Sequence, residues 1–256
     1  MSILIMMLSA LPVDQTQGVN STPATQRTQT AATQSKTVPQ KTVARRTKTE
    51  PAKETTKRLV SFKYGSRLTQ LNVRHWPLIG NPKAKYVFVE MFDYTCPHCR
   101  NTHKAIDGAF KKYGNDLAIV VLPVPLDAKC NSSVRTTNAK HAEACEVSRI
   151  AVAVWRCQPS KFKQFHDWMF EAPIARTAFQ ARDFGAKLIG KEKLDKELAK
   201  PYASQYIGKH VQLYQRIGAG TVPKLIFPER TLVGEISSPT TLVNMIEQNL
   251  GRTVQK

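Results

Sequence analysis

At 256 residues the chain has room for one large domain or two small ones. It carries 38 Lys and Arg against 19 Asp and Glu, a formal net charge of +19; residues 1–57 hold 8 basic and 3 acidic side chains, which leaves +14 on the remainder. Such a field attracts anionic partners in general. No nucleic-acid-binding module accompanies it, so the excess reads as an alkaline secreted surface and no nucleic-acid partner is expected.

Residues 1–11 open the chain with an apolar run, Ile3 to Leu8, that is too short to span a bilayer and lacks a basic start. It reads as a partial signal sequence or a membrane-helix remnant. Residues 12–57 are dominated by Thr, Gln, Pro, Ala, Ser and Lys, with a basic patch at Lys41, Arg45, Arg46 and Lys48. Such a stretch buries too little apolar surface to offset the entropy of ordering, and a disordered basic linker is expected. About 200 residues, 58–256, remain for one domain with a substantial core.

In chain order, Leu59–Phe62 and Leu68–Val73 flank Tyr64-Gly65-Ser66 and predict a β-hairpin. Tyr86–Asp93 is a nearly continuous apolar run, the pattern of a strand buried on both faces, with Glu90 inside it. Cys96-Pro97-His98-Cys99 follows and opens a helix to Tyr113; Leu117–Pro123 is a second buried strand. From about Val134 to Ile217 the pattern is helical, punctuated by Gly190, Pro201 and Gly218. Strands at Lys224–Phe227 and Leu232–Glu235 come next, and a last helix begins at Ser238-Pro239, an N-cap followed by proline at the first helical position.

The CxxC carries the chemistry. Two thiols on the first turn of a helix can close a disulfide, and the first of them, Cys96, faces the unpaired N–H groups and positive dipole end of the helix. That placement favours a thiolate, which governs disulfide exchange. Cys96 is expected to be the exposed, attacking and leaving sulfur, and Cys99 the resolving one. The competing reading is half a zinc site, with Cys130, His141 and Cys145 the nearest further ligands; no second CxxC supports it, and no metal or other cofactor is expected. Of the remaining cysteines, Cys130 and Cys145 suit a structural bridge, two reduced core thiols or a second redox pair, and Cys157 a buried free thiol. A structural bridge would imply an oxidising compartment. The aromatic residues Phe162, Phe165, Trp168 and Phe170 suit a core stripe or, if exposed, a groove for unfolded clients.

The element order is that of an α/β thioredoxin-like fold with an inserted helical subdomain, about 134–217. The segments Val89 to Cys99, Thr221-Val222-Pro223 and His75 to Ala84 resemble the DsbA-like thiol:disulfide oxidoreductases, most closely the thioredoxin-like domains associated with vitamin K epoxide reductase. The resemblance spans about Leu59 to Leu250. It implies a protein dithiol–disulfide oxidoreductase, an oxidase in an extracytoplasmic (periplasmic or membrane-tethered) setting. Clients with free thiols and a membrane quinone-linked partner, vitamin K epoxide reductase-like or DsbB-like, would complete the cycle. It further implies that His98, with Pro97 beside it, helps to stabilise the Cys96 thiolate. Glu90 would accept or relay the Cys99 proton, unless it is a strand-end carboxylate facing solvent. Val222–Pro223 would be a cis bond that, with Thr221, presents backbone to an extended substrate. A reductase or isomerase of the same fold, and a basic metal-binding interaction module without redox turnover, are the alternatives.

Overall fold

A computed structural model describes residues 58–64 and 67–251. The apolar opening, the basic linker and the Gly65-Ser66 part of the hairpin turn lie outside the described residues. β1 (Leu59–Tyr64) and β2 (Arg67–Asn72) pair antiparallel as a separate hairpin, as the pattern predicts. Val60, Phe62 and Leu71 bury one face of it, and Lys63 N–H donates to the Pro228 carbonyl at 2.8 Å, tying the hairpin to the domain.

The main sheet contains β3 (Leu78–Gly80), β4 (Tyr86–Phe92), β5 (Leu117–Pro123), β6 (Lys224–Ile226) and β7 (Thr231–Val233) in the order β3-β5-β4-β6-β7. Only β4 and β5 run parallel; α1 (Pro97–Tyr113) connects them. All of β5, and β4 from Val87 onward, are buried, which explains their unbroken apolar runs. The sequence pattern misses β3, three residues between Pro77 and Pro82 that pair antiparallel with β5 as an edge strand. Gly80 ends it at φ +90°, and a Cβ there would lie 2.3 Å from the Leu117 carbonyl oxygen, so only glycine fits.

α1 packs on α7 (Pro239–Leu250), which begins at the expected Ser238 N-cap, its hydroxyl accepting from Thr241 N–H at 3.3 Å. A Cβ on Gly108 would come within 2.4 Å of Pro239 Cβ, so the missing side chain sets how closely these helices approach. The insertion comprises α2 (Ala144–Cys157), α3 (Pro159–Glu171), α4 (Ala178–Ile189), α5 (Lys191–Leu198) and α6 (Tyr202–Arg216). α2 lies at its centre, touching each of the other four. A capping box, Thr177 with Gln180, starts α4.

Helix begins at Ala144 rather than near Val134. The intervening segment is loop with one 3-10 turn, Ala139–His141, and polar side chains compete for the backbone of this loop and of the residues leading into it. Asp127, Asn131 and Asn138 each accept the N–H two residues on, from Lys129, Ser133 and Lys140, at 3.0–3.1 Å. A Cys130–Cys145 disulfide closes this loop, with Sγ atoms 2.09 Å apart. Cys157 is half-buried rather than buried, its thiol 3.7 Å from the Lys193 carbonyl. Phe162, Phe165 and Phe170 are core, and Trp168 is covered by Arg176 at 3.7 Å and Phe184 at 4.1 Å, so the stripe forms no groove.

Candidate active site

β4 ends at Phe92 and the chain turns through Asp93, Tyr94 and Thr95 into the CxxC. Cys96 is the N-cap of α1, with extended backbone, and Pro97 takes the first helical position, where its missing N–H costs nothing. β6 meets β4 antiparallel with Lys224 opposite Met91, which sets Pro223 one step beyond the ladder, level with Phe92. The Val222–Pro223 bond is cis. Val222 is buried and Thr221 exposed.

Cys99 is fully buried, and Cys96 is only 4% exposed, recessed where an exposed thiol was expected. The two sulfurs differ sharply in acidity. The Cys99 thiol donates to the Cys96 sulfur, and this interaction leads in bringing the Cys96 pKa down to about 6; burial opposes it, and the Cys99 and His98 backbone N–H groups assist. Burial, with the neighbouring Cys96 next, drives Cys99 well above the ordinary thiol range. At neutral pH the reduced pair is therefore one thiolate and one thiol.

His98 Nδ1 lies 2.7 Å from Glu235 Oε2, and Asn101 donates to Glu235 Oε1 at 3.0 Å. The hydrogen bond to Glu235, then the charge of Cys96, raises the His98 pKa and favours an imidazolium at the mouth of the site. Arg100, nearly buried, has its guanidinium within electrostatic reach of both sulfurs.

Glu90 is completely buried, which removes the solvent-facing alternative; neither of its oxygens has a hydrogen-bond partner, and burial pushes its pKa up to about 8. Its charge is felt at Tyr94. The carboxyl felt at Cys99 belongs to Asp93, whose own N–H also donates to Cys99 Sγ at 3.4 Å. Asp93 Oδ1 accepts from Thr95 N–H at 2.5 Å and from the Thr95 hydroxyl, and its Oδ2 accepts from Leu126 N–H. Burial raises Asp93 against these bonds. Thr95 Oγ1 lies in turn 2.6 Å from His141 Nδ1. A hydrogen-bonded chain thus leads from beside Cys99 into the loop that the Cys130–Cys145 disulfide closes.

Asp93, Thr95, Arg100, Glu235 and the buried placement of His141 escape sequence reasoning. Asp93 and Thr95 sit inside the quoted motif without a recognisable role, and Glu235, expected as a strand end, instead follows β7 (Thr231–Val233) in irregular chain, 136 positions after Cys99 with no local pattern connecting the two. Cys130 and Cys145 are bonded to each other, so they are not zinc ligands for the CxxC, and His141 is engaged with Thr95.

The sequence model of the thioredoxin family matches residues 72–248. Sequence comparison with curated proteins returns no match. Among solved structures, ScsC of Proteus mirabilis in a compact conformation superposes with a TM-score of 0.56 at 20% identity, over 70% of this chain and 74% of that one. Oxidised BdbD of Bacillus subtilis gives 0.56 at 20% identity, over 75% and 98%. The thiol-disulfide exchange protein alpha-DsbA2 of Wolbachia pipientis gives 0.54 at 18%, over 68% and 87%. These likenesses speak for the fold, and the match over more than half the sequence speaks for descent: the chain belongs to the thioredoxin family, with the helix-inserted, DsbA-like fold.

Proposed function

We propose that the protein is a dithiol–disulfide oxidase acting on client proteins in an extracytoplasmic compartment. The observation that carries this reading is the split acidity of the CxxC: Cys96 down to about 6, Cys99 well above its ordinary value. A stabilised thiolate favours the reduced state, and so makes the disulfide a stronger oxidant and Cys96 a better leaving group.

In the forward reaction a client thiolate attacks Cys96 Sγ. The Cys96–Cys99 bond breaks, a client–Cys96 bond forms, and Cys99 leaves as a thiolate that takes up a proton. A second client thiolate then attacks the client sulfur of this mixed disulfide, and Cys96 departs as a thiolate. Two electrons have passed from client to CxxC, and the client holds a new disulfide. The Asp93–Thr95–His141 chain offers the Cys99 proton a route, and Glu90 is a second buried acid on the same strand end. Val222 lies just past the last β4–β6 pair, which suits an extended client pairing as an added strand.

The Cys130–Cys145 bridge supports an oxidising compartment. Among the described residues no helix is long and apolar enough to cross a membrane. A membrane quinone-linked enzyme, vitamin K epoxide reductase-like or DsbB-like, is the partner we assign to reoxidation. Equilibration of the CxxC with glutathione buffers tests the direction: a potential near the thioredoxin end, about −270 mV, would sink the oxidase reading, whereas one toward about −120 mV supports it. Cys96→Ser is expected to abolish oxidation of a reduced client peptide while the fold is kept.

A further inference from the structure

One to two turns along α1 from Cys99, three side chains converge that take no part in the chemistry above. His103 and Asp107 lie one turn apart on α1, and Asp167 comes from α3. One ligand atom from each lies within 4.8 Å of the other two. His103 Nε2 is 3.6 Å from Asp107 Oδ1 and 3.5 Å from Asp167 Oδ1.

These separations are too long for N–H···O hydrogen bonds, which run at about 2.7–3.2 Å. They are close to the spacing of ligand atoms around one small cation: atoms about 2.0–2.1 Å from a tetrahedral ion lie about 3.3–3.4 Å apart. The hydrogen-bond inventory points the same way. His103 is 3% exposed; its Nε2 meets the two carboxylates only at ion-pair distance, and neither ring nitrogen nor the buried Asp167 Oδ1 makes a short hydrogen bond. Polar atoms in that state cost free energy unless something satisfies them.

The frame around the trio is rigid. The His103 ring stacks on Phe170 at 4.7 Å and meets the edge of His166 at 5.0 Å. Lys163 holds the other oxygen of Asp167, Oδ2, at 2.6 Å and leaves Oδ1 turned toward His103. The nearby imidazole of His166 is committed through Nδ1 to the Tyr94 hydroxyl at 3.0 Å. The Asp107 side chain, 44% exposed, opens the cluster to solvent and gives an ion a way in.

We propose that His103, Asp107 and Asp167 form a binding site for one divalent transition-metal ion of the zinc type, with solvent completing its coordination. One imidazole nitrogen and two carboxylate oxygens suit zinc, and cobalt as its spectroscopic substitute. An ion there would link the CxxC helix to the helical insertion, since its ligands come from α1 and α3. The site is independent of the redox reading and stands or falls apart from it.

The test uses the full chain, oxidised so that Cys96 and Cys99 are bridged and cannot compete. Titration with Zn2+ by calorimetry should show saturable uptake of one ion per chain. Co2+ should give the intense visible bands of a four-coordinate N/O site without a thiolate charge-transfer band, which also excludes Cys157 as the ligand. Saturating Zn2+ should raise the melting temperature by mass action. Asp107→Asn, on the exposed side of the cluster, should weaken uptake by about tenfold or more and cancel the thermal shift while leaving the metal-free melting temperature unchanged. His103→Gln should abolish uptake. Absence of stoichiometric uptake by the unaltered chain, or uptake and thermal shift that survive in Asp107→Asn, would overturn the proposal.

Discussion

Replacing Cys99 by Ala isolates what makes Cys96 acidic. The Cys99 thiol is the leading influence on the Cys96 pKa of about 6, and its loss takes away a hydrogen bond to a charged acceptor. Such bonds are worth about 1.5–3 kcal/mol, or roughly 1–2 pH units of acidity. The backbone N–H groups of Cys99 and His98 and the helix N-terminus remain, so the Cys96 midpoint should settle at roughly 7–8, short of a free thiol. At pH 7 the thiolate fraction would fall from about nine-tenths to between about a half and a tenth. Thiolate absorbance in the far ultraviolet, followed against pH in the Cys157→Ser background, measures this directly. Cys99→Ser, which restores a donor, should return the midpoint toward 6. A Cys99→Ala midpoint still at 6 would refute the assignment and move the whole effect to the backbone and dipole.

Glu90, buried and raised to about 8 from 4.5, is ionised in the unfolded chain before it is in the folded one. Its contribution to stability is complete below about pH 4.5 and is lost as the pH rises through about 8. Glu90→Met should therefore raise the unfolding free energy by about 3 kcal/mol at pH 7 and flatten the pH profile across that window, as read by denaturant titration; an unchanged profile would contradict it. Replacing Cys130 and Cys145 together by Ala opens a loop of sequence separation 15 and should cost roughly 3 kcal/mol, visible as a lower guanidinium midpoint. Glu235→Gln removes the leading influence on His98, so the imidazole should titrate at lower pH by NMR and the Cys96 midpoint should rise slightly; an unmoved His98 would contradict the assignment.

The parts of this chain legible in its sequence are those where one local pattern decides the outcome. Continuous burial marks β4 and β5, proline and glycine mark most helix ends, and Ser238-Pro239 marks the start of α7. β3 is too short to carry a period and draws its identity from pairing with β5. Residues 134–143 show helical composition, yet Asn138 satisfies the Lys140 N–H locally, Thr137 is tied back to Asp127, and the bridge holds the result. In the site, the CxxC stands out because its chemistry is intrinsic to residue type, and Pro223 through its place in a segment that resembles the DsbA-like pattern. Asp93, His141 and Glu235 acquire meaning only through distance in space: a 2.6 Å contact from His141 to Thr95, a 2.7 Å contact from Glu235 to His98.

The insertion leaves and rejoins the sheet at one corner. Val124 N–H donates to the Phe92 carbonyl at 2.7 Å as the chain departs, and Pro223 returns level with that same residue. The two stalks of the excursion therefore flank the last residue of β4, one on each side, as a grafted branch straddles one trunk. Closing a loop between ends held one strand apart depends only weakly on its length. Changes of length are therefore cheapest in the helices turned away from the sulfur pair, whereas α3 and the 134–143 loop, which hold His166 against Tyr94 and His141 against Thr95, are bound to the electron chemistry.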